Sequence, residues 1–404
     1  MIAVEEARSR ILSAFETLPG EVVALDQALG RVLAEDVYAR LTQPPKAVSA
    51  MDGYAVRASE VASVPVRLRV VGRAPAGGSY DAPLGAGEAV RIFTGGPLPE
   101  GADAIVIQED TATGSDDEGT WVEIRESVAP GRYVRPAGLD FTEGERGLTA
   151  GRRLGVRDIG LAAAMDHSWL TVRRRPRVAI LATGDEVVMP GDPRSANQIV
   201  SSNSLALQAF VRSCGGEAIN LGIAQDNRES LARLAAGAQG ADLLVTTGGA
   251  SVGEHDLIRS VLGEEGLELD FWKIAMRPGK PLLFGKLRGT PLLGLPGNPV
   301  SSLVCALVFL RPILSRLLGC ESDEETVTAR LGEALEANDR RQDYLRARLS
   351  RNEDGTLTAT AFPRQDSSMQ ATMAKAEALI IRPPFAPPAK AGEAVQVIPL
   401  KEIF

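Results

Sequence analysis

The stretch RRRPRVAILATGDEV, Arg173 to Val187, divides the chain into two regimes. Four arginines around a proline lead into the apolar run Val178 to Ala182, which ends on Thr-Gly and two acids. An apolar run without alternation reads as a strand buried on both faces. Two more such runs follow, Ala218 to Ile223 and Leu243 to Thr246. They alternate with helical stretches at Ser204 to Ser213, Arg228 to Gly237 and Leu257 to Gly263. This βαβ alternation predicts a parallel, doubly wound sheet with right-handed crossovers. Ligands of such sheets bind outside the carboxyl ends of the strands, so function is sought in the loops that follow them.

Upstream, the period from Met1 to about Thr42 is helical, punctuated by Gly20 and Gly30. From Gln43 to Asp140 the character changes to short β-type runs, VRLRVVGRA, EAVRIFTG, DAIVIQED and TWVEIRES, separated by glycine and proline. Helical pattern returns in GVRDIGLAAAMD, which predicts a β domain inserted into a helical segment. Downstream come the strand-like FWKIAM and PLLFGKL, then TPLLGLPGNPVSSLVCALVFL and an acidic break at Glu321 to Glu325. The runs YLRARLS, TLTATAF, ALIIRPP and AVQVIPL then predict a small C-terminal β domain.

At 404 residues the chain is too long for one hydrophobic core. A net charge of −8 argues against nucleic acid as the main partner, and any anionic substrate must be held by a local basic site. MIAVEEARSRILSAFETL reads as an amphipathic helix, without the basic start and apolar core of a signal peptide. No uninterrupted apolar stretch approaches the roughly 20 residues of a membrane span, and Val300 to Leu310 is expected to be a buried helix. Three scattered cysteines (Cys214, Cys305, Cys320) fit a reducing cytoplasm and give no zinc signature. With only His167 and His255, a Ser-His-Asp hydrolase is disfavoured; a metal, if used, should be a hard ion on oxygen ligands, such as Mg²⁺.

Three strand ends carry loops of interest. ILATGDEV places Asp185 and Glu186 after the first strand. VTTGGASVGEHD, Val245 to Asp256, spends three glycines before three ionisable residues, leaving backbone N–H groups free to face an anion. In LGLPGNPVSS, Asn298 suits an N-cap and Pro299 the first helical position. FWKIAMRPGKP adds Lys273, Arg277 and Lys280. Singly, each has an ordinary explanation: TGG and PGNP as turns, Asp185 and Glu186 as surface acids, Lys273 as a snorkelling side chain, Asp52-Gly53 as a hairpin turn. Their joint occurrence at successive strand ends points to a phosphorylated or adenylylated ligand, with carboxylates able to hold Mg²⁺ against phosphate.

Seven motifs occur in one order: PPKAVSAMDGYAV, RIFTGGPLPEGADAIVIQED, RPAGLD, ILATGDEV, VTTGGASVGEHD, FWKIAMRPGKP and GLPGNPVSS. The set closely resembles the molybdopterin molybdenumtransferase family, which includes MoeA and the gephyrin E domain. That resemblance implies a helical linker domain (1–43 and 141–172) and an inserted β domain (44–140). It further implies a doubly wound molybdopterin-binding α/β domain (173–320) and a C-terminal β-barrel domain (325–404). It implies a cytoplasmic homodimer whose active cleft joins the α/β domain of one subunit to the inserted domain of the other. The implied reaction inserts molybdate into adenylylated molybdopterin and releases AMP in a Mg²⁺-dependent step. The upstream partner would be a molybdopterin adenylyltransferase; downstream would stand molybdoenzymes or their chaperones.

By the same resemblance Asp52, Glu186, Asp226 and Asp256 are catalytic carboxylates, and the last three would hold the metal. Asp52 and Thr94 would reach the cleft from the partner, and Asp140 is a hinge-side acid. Gly248, Gly249, Ser251 and Gly253 would face the ligand's phosphates. Lys273, Arg277 and Lys280 would bind molybdate or phosphate charge, Pro296 and Pro299 would shape the pterin end, and Ser367 would come from the C-terminal domain. The chain departs from the family pattern at Lys46, Ala47 and Val48 before SAMDG, in NQIVSSNS, at Arg277 where some relatives have Lys, and in RQDSSM. Two alternatives stand beside this reading: an adenylyltransferase acting on molybdopterin itself, and a non-enzymatic scaffold of the gephyrin type.

Overall fold

The computed structural model describes residues 1–248, 257–320 and 326–400. At its centre is a six-stranded sheet formed by β1 (Arg177–Thr183), β2 (Glu217–Ala224), β3 (Leu243–Thr247), β4 (Leu267–Phe271), β5 (Leu283–Leu287) and β6 (Thr290–Leu295). The spatial order is β2-β1-β3-β6-β5-β4. Strands β2, β1, β3 and β6 are parallel neighbours. The parallel, doubly wound part of the sheet is as expected, and one edge adds two further strands of opposite sense: β5 runs antiparallel to β6, and β4 antiparallel to β5. The cause is local. Leu287 pairs with Thr290, so the β5–β6 connection is two residues long, and Arg288 and Gly289 both take positive φ, as a tight hairpin demands.

Alternation along the strands allocates the helices. Val178, Ile180, Leu243 and Val245 face one side. There they pack with Leu207 and Phe210 of α3 (Asn203–Ser213), Leu303 and Leu307 of α6 (Pro299–Leu318), and Val4, Ala7 and Ile11 of α1 (Val4–Ser13). Ala179, Leu181 and Leu244 face the other side, against Leu231 and Ala235 of α4 (Arg228–Ala235) and Leu262 of α5 (Leu257–Glu264). Helix α6 is apolar and long enough to cross a membrane, but its most apolar window is 94% buried in the protein, so it is a core helix. A π-helical turn over Ala306–Leu310 precedes Pro312, giving room to a ring that lacks an N–H and crowds the preceding turn.

The helical reading of residues 1–42 holds only for α1. Gly20–Ala24 instead pairs with Trp169–Arg173, and Val37–Tyr38 with Arg146–Leu148. Val22 points to solvent while Leu33 and Val37 are buried, so apolar spacing in this segment does not follow one helical face. The second helix here is α2 (Val156–Ala164). FWKIAM is not a strand: Phe271 ends β4, and the segment crosses to the C-terminal domain, where Met276–Arg277 pairs with Gln342–Asp343.

Residues 53–124 form the inserted β domain, a six-stranded sheet. In it Gly53–Val56 lies between Glu88–Ile92 and Ala104–Ile107. The C-terminal strands Val327–Leu331, Gln342–Arg351, Leu357–Ala361, Ala378–Arg382 and Ala394–Pro399 close into a barrel, because Gln342–Arg351 pairs with both Leu357–Ala361 and Ala378–Arg382. Barrel residues Tyr344, Leu379 and Ile398 share one core with α6.

Two glycines give opposite expectations. A Cβ on Gly53 would overlap the Val106 carbonyl of the adjacent strand, so Gly53→Ala should destabilise the inserted domain by about 3 kcal/mol. Gly160, exposed in α2, has open space around it, so Gly160→Ala should stabilise by about 0.5–1 kcal/mol. Denaturant unfolding of both variants checks the pair.

Candidate active site

Register, more than any single motif, builds the site. Thr183 of β1 lies opposite Ala224 of β2, Ala182 opposite Thr247 of β3, and Thr247 opposite Leu295 of β6. All four parallel strands therefore end at one level, and the loops after β1, β3 and β6 open onto one cleft of about 620 Å³. Thr183, Glu186, Asn203, Thr247, Gly248, Pro296 and Pro299 line it, with Ser368 and Gln370 entering from the barrel side. Gly248 has φ +96°, and a Cβ there would overlap the Thr183 carbonyl, so the backbone passes as close to β1 as a chain can.

Acids gather at the β1 and β2 ends. The Asp226 N–H donates to Asp185 Oδ1 at 2.9 Å, and the Asp185 N–H donates to Asp226 Oδ2 at 3.4 Å. This reciprocal pair fixes Asp226 ahead of α4, where Asn227 caps the helix by accepting from the Ser230 N–H at 2.9 Å. Glu186, one residue further along the β1 loop, has its carbonyl bound by the Ile199 N–H at 2.7 Å and its carboxylate exposed. Hard carboxylate oxygens suit Mg²⁺. Among the described residues no group of three His, Cys, Asp or Glu side chains is placed to hold a metal ion.

The basic segment divides by partner. The Lys273 ammonium lies 3.7 Å from the Trp272 ring centroid. Lys280 is exposed, its carbonyl accepting from the Ile274 N–H at 3.1 Å. Arg277 is drawn to the barrel: Nε donates to Asp343 Oδ2 at 2.9 Å, Nη2 bonds the same oxygen, and Nη1 lies 3.7 Å from Asp339. Burial pushes the Asp343 carboxyl up, against the opposing pull of Arg277. The Arg341 guanidinium holds Asp339 down to about 2. The oxyanion role implied for Arg277 thus falls on a guanidinium already shared with two carboxylates.

The barrel also meets the start of α6. Asn298 occupies the N-cap, but its side chain makes no cap bond; Nδ2 instead donates to Ser367 Oγ at 2.9 Å. The Val300 N–H donates to the Ser367 carbonyl at 3.1 Å. Ser367 is thereby docked at the cleft, and Pro299 supplies the first helical residue, as its sequence context predicts.

Asp52 and Thr94 pair on the inserted domain. Asp52 Oδ1 accepts from the Thr94 N–H at 2.7 Å and from its hydroxyl at 2.8 Å. Those bonds, the backbone one foremost, hold the Asp52 carboxyl below its usual range. Asp140 lies elsewhere, in a cleft of about 700 Å³ with Pro44, Lys46, Arg135 and Leu139. Within one protomer Glu186, Gly248, Pro296 and Pro299 are brought together, with Asp226 and Ser367 adjoining. The loop positions Gly249, Ser251, Gly253 and Asp256 lie outside the described residues. Sequence reasoning missed Thr183 and Asn203 as lining residues. The Ser-Asn pair immediately before a helical stretch was the available signal for the latter.

Three family profiles match the chain in order. They are the MoeA N-terminal region (domain I and II) over residues 2–165, a probable molybdopterin binding domain over 179–316, and the MoeA C-terminal region (domain IV) over 328–400. A molybdopterin molybdenumtransferase of Haemophilus influenzae is 33% identical over 415 residues, spanning all of both chains. One from Nostoc is 38% identical across 80% of this chain and 76% of its own. The crystal structure of a molybdopterin biosynthesis MoeA protein from Pyrococcus horikoshii superimposes with a TM-score of 0.85 at 33% identity, covering 99% of each chain.

The Asp52–Thr94 tie is testable by titration. Because the folded-state pKa of Asp52 is depressed, the tie contributes fully above the unfolded carboxylate pKa and is lost as pH falls through the folded value. Thr94→Val keeps the backbone donor and removes the hydroxyl, so carbon-13 NMR of the Asp52 carboxyl should show its midpoint moving up; an unmoved midpoint would remove the hydroxyl's part in the tie.

Proposed function

The chain belongs to the molybdopterin molybdenumtransferase family, and on that premise we propose that its cleft inserts molybdate into adenylylated molybdopterin with release of AMP. The observation that carries this reading is the convergence of Glu186, Gly248, Pro296 and Pro299 on one cleft at aligned strand ends. The backbone at Gly248, which lines the cleft, would face the phosphates of the ligand, where amide donors favour negative charge. Lys273 and Lys280 add cationic charge for the tetrahedral molybdate dianion. Two molybdenum–sulfur bonds form at the dithiolene of the substrate as one molybdate oxygen leaves as water with the two thiol protons, and the phosphoanhydride to AMP is cleaved by a second water.

Glu186 and Asp226, with Asp256, would hold Mg²⁺, which when bound offsets the charge of the leaving phosphate. Pro296 and Pro299 would bound the pterin end of the cleft, and Ser367, bonded to the lining residue Asn298, would support it from the barrel side. Asp52 and Thr94 sit on a domain whose residues do not line this cleft; as the family resemblance implies, they would enter from a second copy of the chain, in a homodimer with composite sites. The reaction places the protein after a molybdopterin adenylyltransferase and before the apoenzymes or chaperones that take up the cofactor, in the cytoplasm, with no role for nucleic acid or membrane.

Glu186→Ala should lower molybdate insertion at least about 100-fold while leaving the dimer intact on size-exclusion chromatography. Asp52→Ala should be comparably impaired. Mixed in equal amounts and allowed to exchange subunits, the two variants should regain about one quarter of wild-type activity, because half the dimers are hybrids with one intact cleft. Inactive mixtures containing verified hybrid dimers would remove the cross-subunit arrangement.

A further inference from the structure

We infer that Asn203 is a positioning residue of this cleft, an inference that rests on the transferase reading above. Asn203 opens α3 and lines the cleft. Its Nδ2 uses both hydrogens: one bond runs 2.9 Å to Thr247 Oγ1 and the other 2.7 Å to the Gly297 carbonyl. The Thr247 hydroxyl donates in turn to the Pro296 carbonyl at 3.3 Å. One carboxamide thus joins three separate elements: the start of α3, the end of β3 and the β6–α6 loop.

What this network fixes is the spacing of two glycine backbones. Gly248 follows Thr247 directly, and Gly297 follows Pro296. A Cβ built on Gly297 would stand 3.5 Å from the Gly248 Cα, so the two segments are in near contact at the cleft floor. Neither glycine has a side chain of its own to hold it, and both line the cleft. Of the common side chains only a carboxamide offers two coplanar donors on one nitrogen at this reach; Asp has none, and Gln is a methylene too long. Thr247 is 3% exposed, so its hydroxyl reaches its carbonyl acceptor and its Asn203 donor without competition from water.

Backbone donors placed by Asn203 meet the phosphates in both the bound substrate and the transition state. Loss of their alignment should therefore fall on KM more than on kcat. Asn203→Ala and the near-isosteric Asn203→Asp should each raise KM for adenylylated molybdopterin about tenfold or more at saturating molybdate. In both, kcat should stay within about threefold, and the unfolding temperature within about 2 °C of wild type. Thr247→Val should reproduce the KM rise, Thr247→Ser should retain wild-type KM, and the Asn203→Ala/Thr247→Val double variant should be no worse than either single.

Wild-type protein in the same assay separates two failures. If wild type shows no molybdate-dependent AMP release, the transferase reading falls. If wild type turns over and Asn203→Ala keeps its KM, with or without a lower unfolding temperature, Asn203 is only structural and the inference falls. Should the Asn203 variants fail to fold, the contrast between Thr247→Ser and Thr247→Val decides: equal KM values overturn the proposal.

Discussion

Everything in this molecule that resembles a reaction site depends on the pairing register of four parallel strands. Ala182, Thr247 and Leu295 stand abreast, and Thr183 faces Ala224, so four loops leave the sheet at one height. Parallel strands buried on both faces tolerate no slip, since a one-residue shift would send Val178 and Ile180 toward α4 and α5 and Ala179 and Leu181 toward α1, α3 and α6. The same burial that stabilises the sheet therefore aligns the carboxylates, the glycine turns and the prolines at its edge. Function here is a by-product of strand register, refined by side chains such as Asn203 that tie the loops to each other.

The C-terminal barrel is part of this construction, not an appendage. It shares a hydrophobic core with α6, takes Arg277 into a pair with Asp343, and lends Ser367 to Asn298 at the helix start. Two of those three ties end on residues, Arg277 and Ser367, that the family resemblance assigned to ligand binding. Arg277 in particular is committed to the barrel: a guanidinium shared between Asp343 and Asp339 is less available to an oxyanion than a lone lysine ammonium would be. Lys280, exposed in the same segment, is the more available cation.

The fold was legible wherever burial writes a simple pattern. Unalternating runs such as VAILA announced strands covered on both faces, and the spaced β-type runs after Gln43 announced the inserted sheet. The β5–β6 hairpin escaped notice because its turn is Arg288-Gly289, outside the usual Asn-Gly or Asp-Gly signals, although the backbone is the same. The N-terminal segment misled because short two-stranded ladders, with Val22 in solvent and Leu33 inside, imitate irregular helical spacing. At the site, residues within one motif were found together, since local sequence carries local geometry. Contacts between distant segments were not: Asp52 with Thr94, Arg277 with Asp343 and Asn298 with Ser367 are 42, 66 and 69 residues apart, and no period in the sequence encodes them.

A single crystallographic experiment bears most directly on the claim that aligned strand ends form the substrate pocket: soaking the protein with adenylylated molybdopterin and Mg²⁺ and locating the phosphates. The account places them at the Gly248 and Gly297 backbones, between Glu186 and the start of α6, with Asp52 of a second protomer at the open side. Phosphates found only in the cleft beside Lys46 and Asp140, with the strand-end cleft holding solvent, would contradict it.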